Sequence, residues 1–117
     1  MAGFEQYHEP ATELPQEVRT FARMVASLIE EADAIDWYQQ RMSVEHNEEA
    51  RKIMQVSQQE EMLHFAMDLE WCLRRMPKWK AACQGVLFQD GDIVGNKEKA
   101  ENSVDQTPHQ FPQPHGS

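Results

Sequence analysis

Ser57-Gln58-Gln59-Glu60-Glu61-Met62-Leu63-His64-Phe65-Ala66-Met67-Asp68-Leu69 lies inside a run from Asn47 to Arg75 that contains neither glycine nor proline. Such a run reads as one long helix, with Pro77 ending it. Its apolar residues do not keep to one stripe. Ala50, Ile53, Met54, Met62, Leu63, Ala66, Met67, Leu69 and Leu73 spread over more than one face. A helix that is apolar on several sides needs more than one packing neighbour.

One neighbour is supplied just upstream. From Leu14–Pro15 to about Met42, Val18, Phe21, Val25, Leu28, Ala32 and Ile35 recur at alternating spacings of three and four. That is the seam of a helix packed against a near-parallel or antiparallel partner. Thr12 is placed to cap its start, and Pro15 suits a first turn. Ser43-Val44-Glu45-His46-Asn47 carries the turn signal, so the two helices form an antiparallel hairpin. Residues 78–88 read as a short third helix with Trp79, Ala82, Cys83 and Val86 as its buried stripe. The expected organisation is an irregular lead-in (1–13), a helical hairpin domain (14–95) and a disordered tail (96–117), polar and rich in proline. The fold class is all-α.

A chain of 117 residues builds one domain with a thin core unless copies associate. Its net charge of −9 opposes nucleic acid and anionic membrane surfaces as partners and favours cations nearby. The apolar runs are too short to span a bilayer. Cys72 and Cys83 match no zinc spacing; with no secretory signal they are expected to remain thiols in the cytoplasm.

Three polar residues interrupt the apolar faces. Glu31 falls on the stripe Leu28, Ile35 and Tyr38, while Glu61 and His64 stand one turn apart on a face shared with Ser57 and Asp68. A Glu-x-x-His spacing assigns nothing alone, and Glu5 and His8 form another in the lead-in. Taken singly, Glu31 reads as a solvated edge residue and His64 as a hydrogen-bonded interior histidine. Together they gain force from depth. With the turn near residue 45, the three side chains lie within ~3–8 Å of one level on adjacent antiparallel helices. Di-iron sites in four-helix bundles take one Glu from each of two helices and a Glu-x-x-His from each of the other two. This chain has one of each, so two copies about a twofold axis complete the set. Oxygen and imidazole donors without thiolate suit Fe, Mn or Zn.

The stretches Glu30-Glu31-Ala32-Asp33-Ala34-Ile35-Asp36-Trp37-Tyr38 and Glu60-Glu61-Met62-Leu63-His64-Phe65-Ala66-Met67-Asp68-Leu69-Glu70-Trp71, with Arg74-Arg75 and Val86-Leu87-Phe88, resemble the encapsulated ferritin family. The resemblance runs from about Glu9 to Gly91. It implies a hairpin subunit that dimerises into a ferritin-like four-helix bundle, five dimers forming a homodecameric ring. It implies a ferroxidase that oxidises ferrous iron with dioxygen at a di-iron (Fe) centre between subunits, in the lumen of an encapsulin nanocompartment that stores the mineral. Glu31, Glu61 and His64 match the family's iron ligands. Trp37 and Tyr38 match residues beside that centre, and Glu30 and Asp33 match its acidic site of metal admission, Asp33 being one methylene shorter than the usual Glu. The family's short C-terminal address for the shell has no counterpart in residues 96–117. The alternative readings are a non-catalytic helical oligomer that binds divalent metal, and a structural adaptor whose Glu and His are surface charges.

Overall fold

The computed structural model describes residues 7–109 and 111. A 3-10 turn at Ala11–Glu13 precedes four helices: α1 (Gln16–Val44), α2 (Glu48–Arg75), α3 (Pro77–Val86) and α4 (Ile93–Gln106). No strand occurs among the described residues. The chain divides into two compact units, residues 1–70 and 71–117, with the boundary inside α2.

In the first unit, α1 and α2 form the expected antiparallel hairpin. Thr12 does not cap α1. It sits in the 3-10 turn, and the cap position falls to Pro15, which offers no side-chain acceptor. The hairpin turn is built from local polar groups. The Asn47 N–H donates to Glu45 Oε2 (2.9 Å), and the Ala50 N–H donates to Asn47 Oδ1 (2.9 Å), which caps α2. Glu48 and Glu49 follow in the first turn of α2 and Arg74 and Arg75 in its last, both favourable to the helix dipole.

The second unit departs from expectation. Residues 93–106, most of them assigned from sequence to a disordered tail, form α4, which packs against α3. The physical reason is a cap and a short apolar stripe. The Gly95 N–H donates to Asp92 Oδ2 (2.8 Å), and Asn96 Nδ2 donates to the Asp90 carbonyl (3.0 Å). At the other end, Lys78 Nζ donates to the Val104 carbonyl (2.8 Å), placing a cation on the helix C-terminus. Between these anchors, Ala100 and Val104 sit opposite Ala82 and Val86 around a cavity of about 230 Å³. Residues 107–109 and 111 lie beyond the helix. Residues 1–6 of the lead-in, together with 110 and 112–117 of the tail, fall outside the described residues.

Gly85 is where α3 and α4 come closest: a Cβ there would fall 2.4 Å from the Ala100 Cβ. Ala100 is buried, so neither backbone yields cheaply. Gly85→Ala is therefore expected to cost about 1–3 kcal/mol by overpacking. Thermal unfolding of the variant checks this.

Among the described residues only Cys72, Leu73, Ala100 and Gln58 are buried. Neither cysteine forms a disulfide among the described residues, and burial pushes the Cys83 thiol above its ordinary value. No residue of α1 is buried. On α2, Ile53, Val56, Leu63 and Met67 are each 59–63% exposed. At 100° per residue these four fall within one arc of the helix. The apolar surface that the sequence spreads around α2 is thus only partly covered by α1.

Candidate metal centre

The hairpin brings Glu31 of α1 against Asp68 of α2 and within electrostatic reach of Glu61 and His64. Glu61 and His64 are one turn apart, with Glu61 Oε1 3.4 Å from His64 Nδ1. Glu60 approaches the other ring nitrogen, its Oε2 lying 3.8 Å from His64 Nε2. The imidazole is therefore held between two carboxylates of its own helix.

Glu31 is the strained member. Burial, a hydrogen bond shared with Asp68, and repulsion from Asp68 and Glu61 raise its carboxyl from the ordinary 4.5 to about 7, with His64 opposing the rise. Glu31 Oε1 and Asp68 Oδ2 are both buried without a hydrogen-bond partner. Apart from a proton the two carboxyls share, these shielded oxygens have no donor, and the desolvation penalty is one that such a proton or a cation removes. Three carboxylates and one imidazole, with no thiolate, are donors that iron, manganese or zinc accept. Among the described residues, no group of three His, Cys, Asp or Glu of one chain converges tightly enough to hold a metal ion by itself.

The proton on Glu31 has a consequence for stability. A folded-state value raised above the unfolded one means that the folded chain keeps a proton the unfolded chain releases. Stability of the metal-free protein is then expected to fall as pH rises from about 4.5 to about 7. Melting temperatures across that window check it: Glu31→Gln, which cannot ionise, should lose most of the slope.

Asp68 is the residue that sequence reasoning left without a role. Its place on the face of Glu61 and His64 was legible, but its approach to Glu31 depends on how the helices meet. Around α2, Ser57, Glu61, His64 and Asp68 occupy the sector between Gln58, which faces α1, and the exposed stripe of Ile53, Val56, Leu63 and Met67. The carboxylates and imidazole thus border an open apolar face.

The remaining candidates are not gathered there within one chain. Trp37 is 51% exposed and projects from another side of α1, beside Gln40 and Arg41. Tyr38 is on the side of Glu31, and the Arg41 guanidinium lies 5.3 Å from its ring centre. Glu30 and Asp33 are exposed and also lie off the Glu31 side.

Known proteins share this chain's pattern. The EncFtn-like family matches residues 6–90, which takes in α1, α2 and α3 and leaves out α4. A ferritin-like protein of Thermotoga maritima is 42% identical over 103 residues, covering 88% of this chain and 90% of that protein. An encapsulated ferritin-like protein of Rhodospirillum rubrum is 37% identical over 87 residues, 74% of this chain but only 62% of that protein. A crystal structure of protein ne0167 from Nitrosomonas europaea superposes with a TM-score of 0.75 at 36% identity, over 77% of this chain and 99% of that one. With a helical hairpin of this form, and a family match spanning both helices that carry the Glu–His set, the chain belongs to the EncFtn-like family of encapsulated ferritins.

Proposed function

We propose that this protein is a ferroxidase, with ferrous iron and dioxygen as substrates, whose di-iron centre is completed by a second copy of the chain. The observation that carries the reading is the pair of buried, unpartnered carboxylate oxygens on Glu31 and Asp68 beside Glu61 and His64. Each chain contributes Glu31, Glu61 and His64 as ligands. Two copies pack through the exposed stripe of α2 that borders these residues, so the set from each lies at the edge of the other. The bound pair of irons supplies the redox chemistry, each ferrous ion giving one electron to dioxygen.

The chain's own groups do the rest. Glu31 and Glu61 neutralise the charge of the incoming cations, and Asp68 adds a third carboxylate beside them. His64, flanked by Glu60 and Glu61, offers a ring nitrogen at the end of the set. Tyr38 and Trp37 line the approach once the second copy is in place. Glu30 and Asp33, exposed on α1, collect cations at its mouth. The name of the Rhodospirillum rubrum relative supports an encapsulin shell as partner and its lumen as location, with the oxidised iron stored there. No described helix is long and apolar enough to cross a membrane. Dimers joining into a ring of ten fit the same reading.

The test is anaerobic loading with ferrous iron followed by air, with ferric absorbance recorded against buffer. Oxidation well above the buffer rate is expected. A rate equal to buffer, with iron still bound, would leave a metal-binding oligomer in place of an enzyme.

A further inference from the structure

Gln58 is the one buried polar side chain among the described residues, 7% exposed. Its Nε2 donates to the backbone carbonyl of Ile35 (3.0 Å) and to Gln39 Oε1 (3.1 Å). These bonds cross from α2 to α1, and the first ends on main chain. A side chain bonded to a helix carbonyl fixes the axial position of one helix against the other, because sliding by a fraction of a turn breaks the bond before the next carbonyl, about 5.4 Å away, can replace it.

Apolar contact cannot supply that constraint here. The apolar residues of α2 surround much of the helix, and none of those on α1 is buried, so burial alone ranks neighbouring registers poorly. The three-residue turn between Val44 and Glu48 ties the helices at one end, and the buried amide fixes their level and rotation at the site, since a slip of less than a turn leaves its donors unpaired away from water. Its location is specific. Ile35 is one turn beyond Glu31, and Gln58 is one turn before Glu61. The register it sets is therefore the one that places Glu31 against Glu61, His64 and Asp68.

We infer that Gln58 is a positioning residue: its bond to the Ile35 carbonyl holds the α1–α2 register in which the four site side chains meet. The consequence for metal rests on the reading under Proposed function; the register itself does not. Gln58→Met keeps length and packing while removing both donors. Gln39→Met removes only the side-chain acceptor and leaves the Ile35 carbonyl.

Spin labels at Gln40→Cys and Gln55→Cys, with Cys72 and Cys83 replaced by alanine, report the register as an inter-helix distance. Dilution with unlabelled chain restricts the signal to pairs within one molecule. Circular dichroism accompanies each variant to show that helix content is retained. A narrow distribution is expected for the parent and for Gln39→Met. Gln58→Met should broaden it or shift it by a fraction of a helical turn, ~2–3 Å. Manganese(II), titrated by the loss of its free resonance signal, should bind Gln58→Met at least about tenfold more weakly than the parent. A narrow distribution at the parental distance in Gln58→Met would overturn the inference, as would an equal shift in Gln39→Met. A parent that shows the narrow distribution but binds no manganese would fail the metal reading alone and leave the register standing.

Discussion

Glu61→Ala and His64→Ala are each expected to bring ferrous oxidation down to the buffer rate, a loss of at least about 100-fold, and Glu31→Ala to do the same. The size follows from the composition of the site. Even groups that merely orient a ligand cost about 10–100-fold when removed, and these three are the ligands themselves. Twofold symmetry doubles the damage, because one substitution per chain removes two ligands from each centre. The three variants should differ in the metal-free state. Glu31→Ala removes a buried carboxylate with an unpartnered oxygen, so its apo form should be no less stable than the parent near neutral pH. His64→Ala acts at a half-exposed side chain and should leave the melting temperature nearly unchanged. Oxidation that persists in all three, followed by ferric absorbance with iron content measured alongside, would refute the ligand assignment even if the wild type is active.

Leu63→Glu should dissociate the assembly. Leu63 is 60% exposed in the single chain, within the stripe formed with Ile53, Val56 and Met67. If this stripe is the dimer face, each copy buries a Leu63 there. Losing two such side chains costs roughly 3–6 kcal/mol. Two carboxylates enclosed without partners add to that penalty. The dissociation constant is thus expected to rise by at least about 100-fold. Light scattering should show the mass falling toward the 13.6 kDa of one chain while circular dichroism still reports helices. Because the described residues of a single chain gather no complete metal cage, iron oxidation should fall with association. An assembly unaffected by Leu63→Glu would place the interface on another face, and the second set of ligands with it.

Much of this was legible because helices announce themselves locally. The glycine- and proline-free runs, Asn47 before α2 and Pro77 after it gave both long helices and the turn between them within a few residues. The tail was misread because its evidence is sparse. Ala100 and Val104 are the main apolar contacts of α4 with α3, set among Lys97, Glu98, Lys99 and Glu101. Asp92 is an ordinary N-cap signal that outweighs such a composition only once α3 offers a surface to pack against.

The sequence by itself determined the helices, the thinness of the core and the donor types, since these depend on periodicity, composition and charge. It put Glu61, His64 and Asp68 on one face of α2 because residues three and four apart on a helix must share a side. It placed Glu31 only to within a turn or two of them. Which carboxylates touch, and which oxygens are left buried without a partner, depends on the sliding and rotation of α1 against α2. Those two coordinates were decided by the packed pair, where a shift of one turn moves every facing side chain by 5.4 Å. The same holds for the face of α2 left bare. Its apolar residues were visible in the chain, but only the position of α1 determined which of them stay in water.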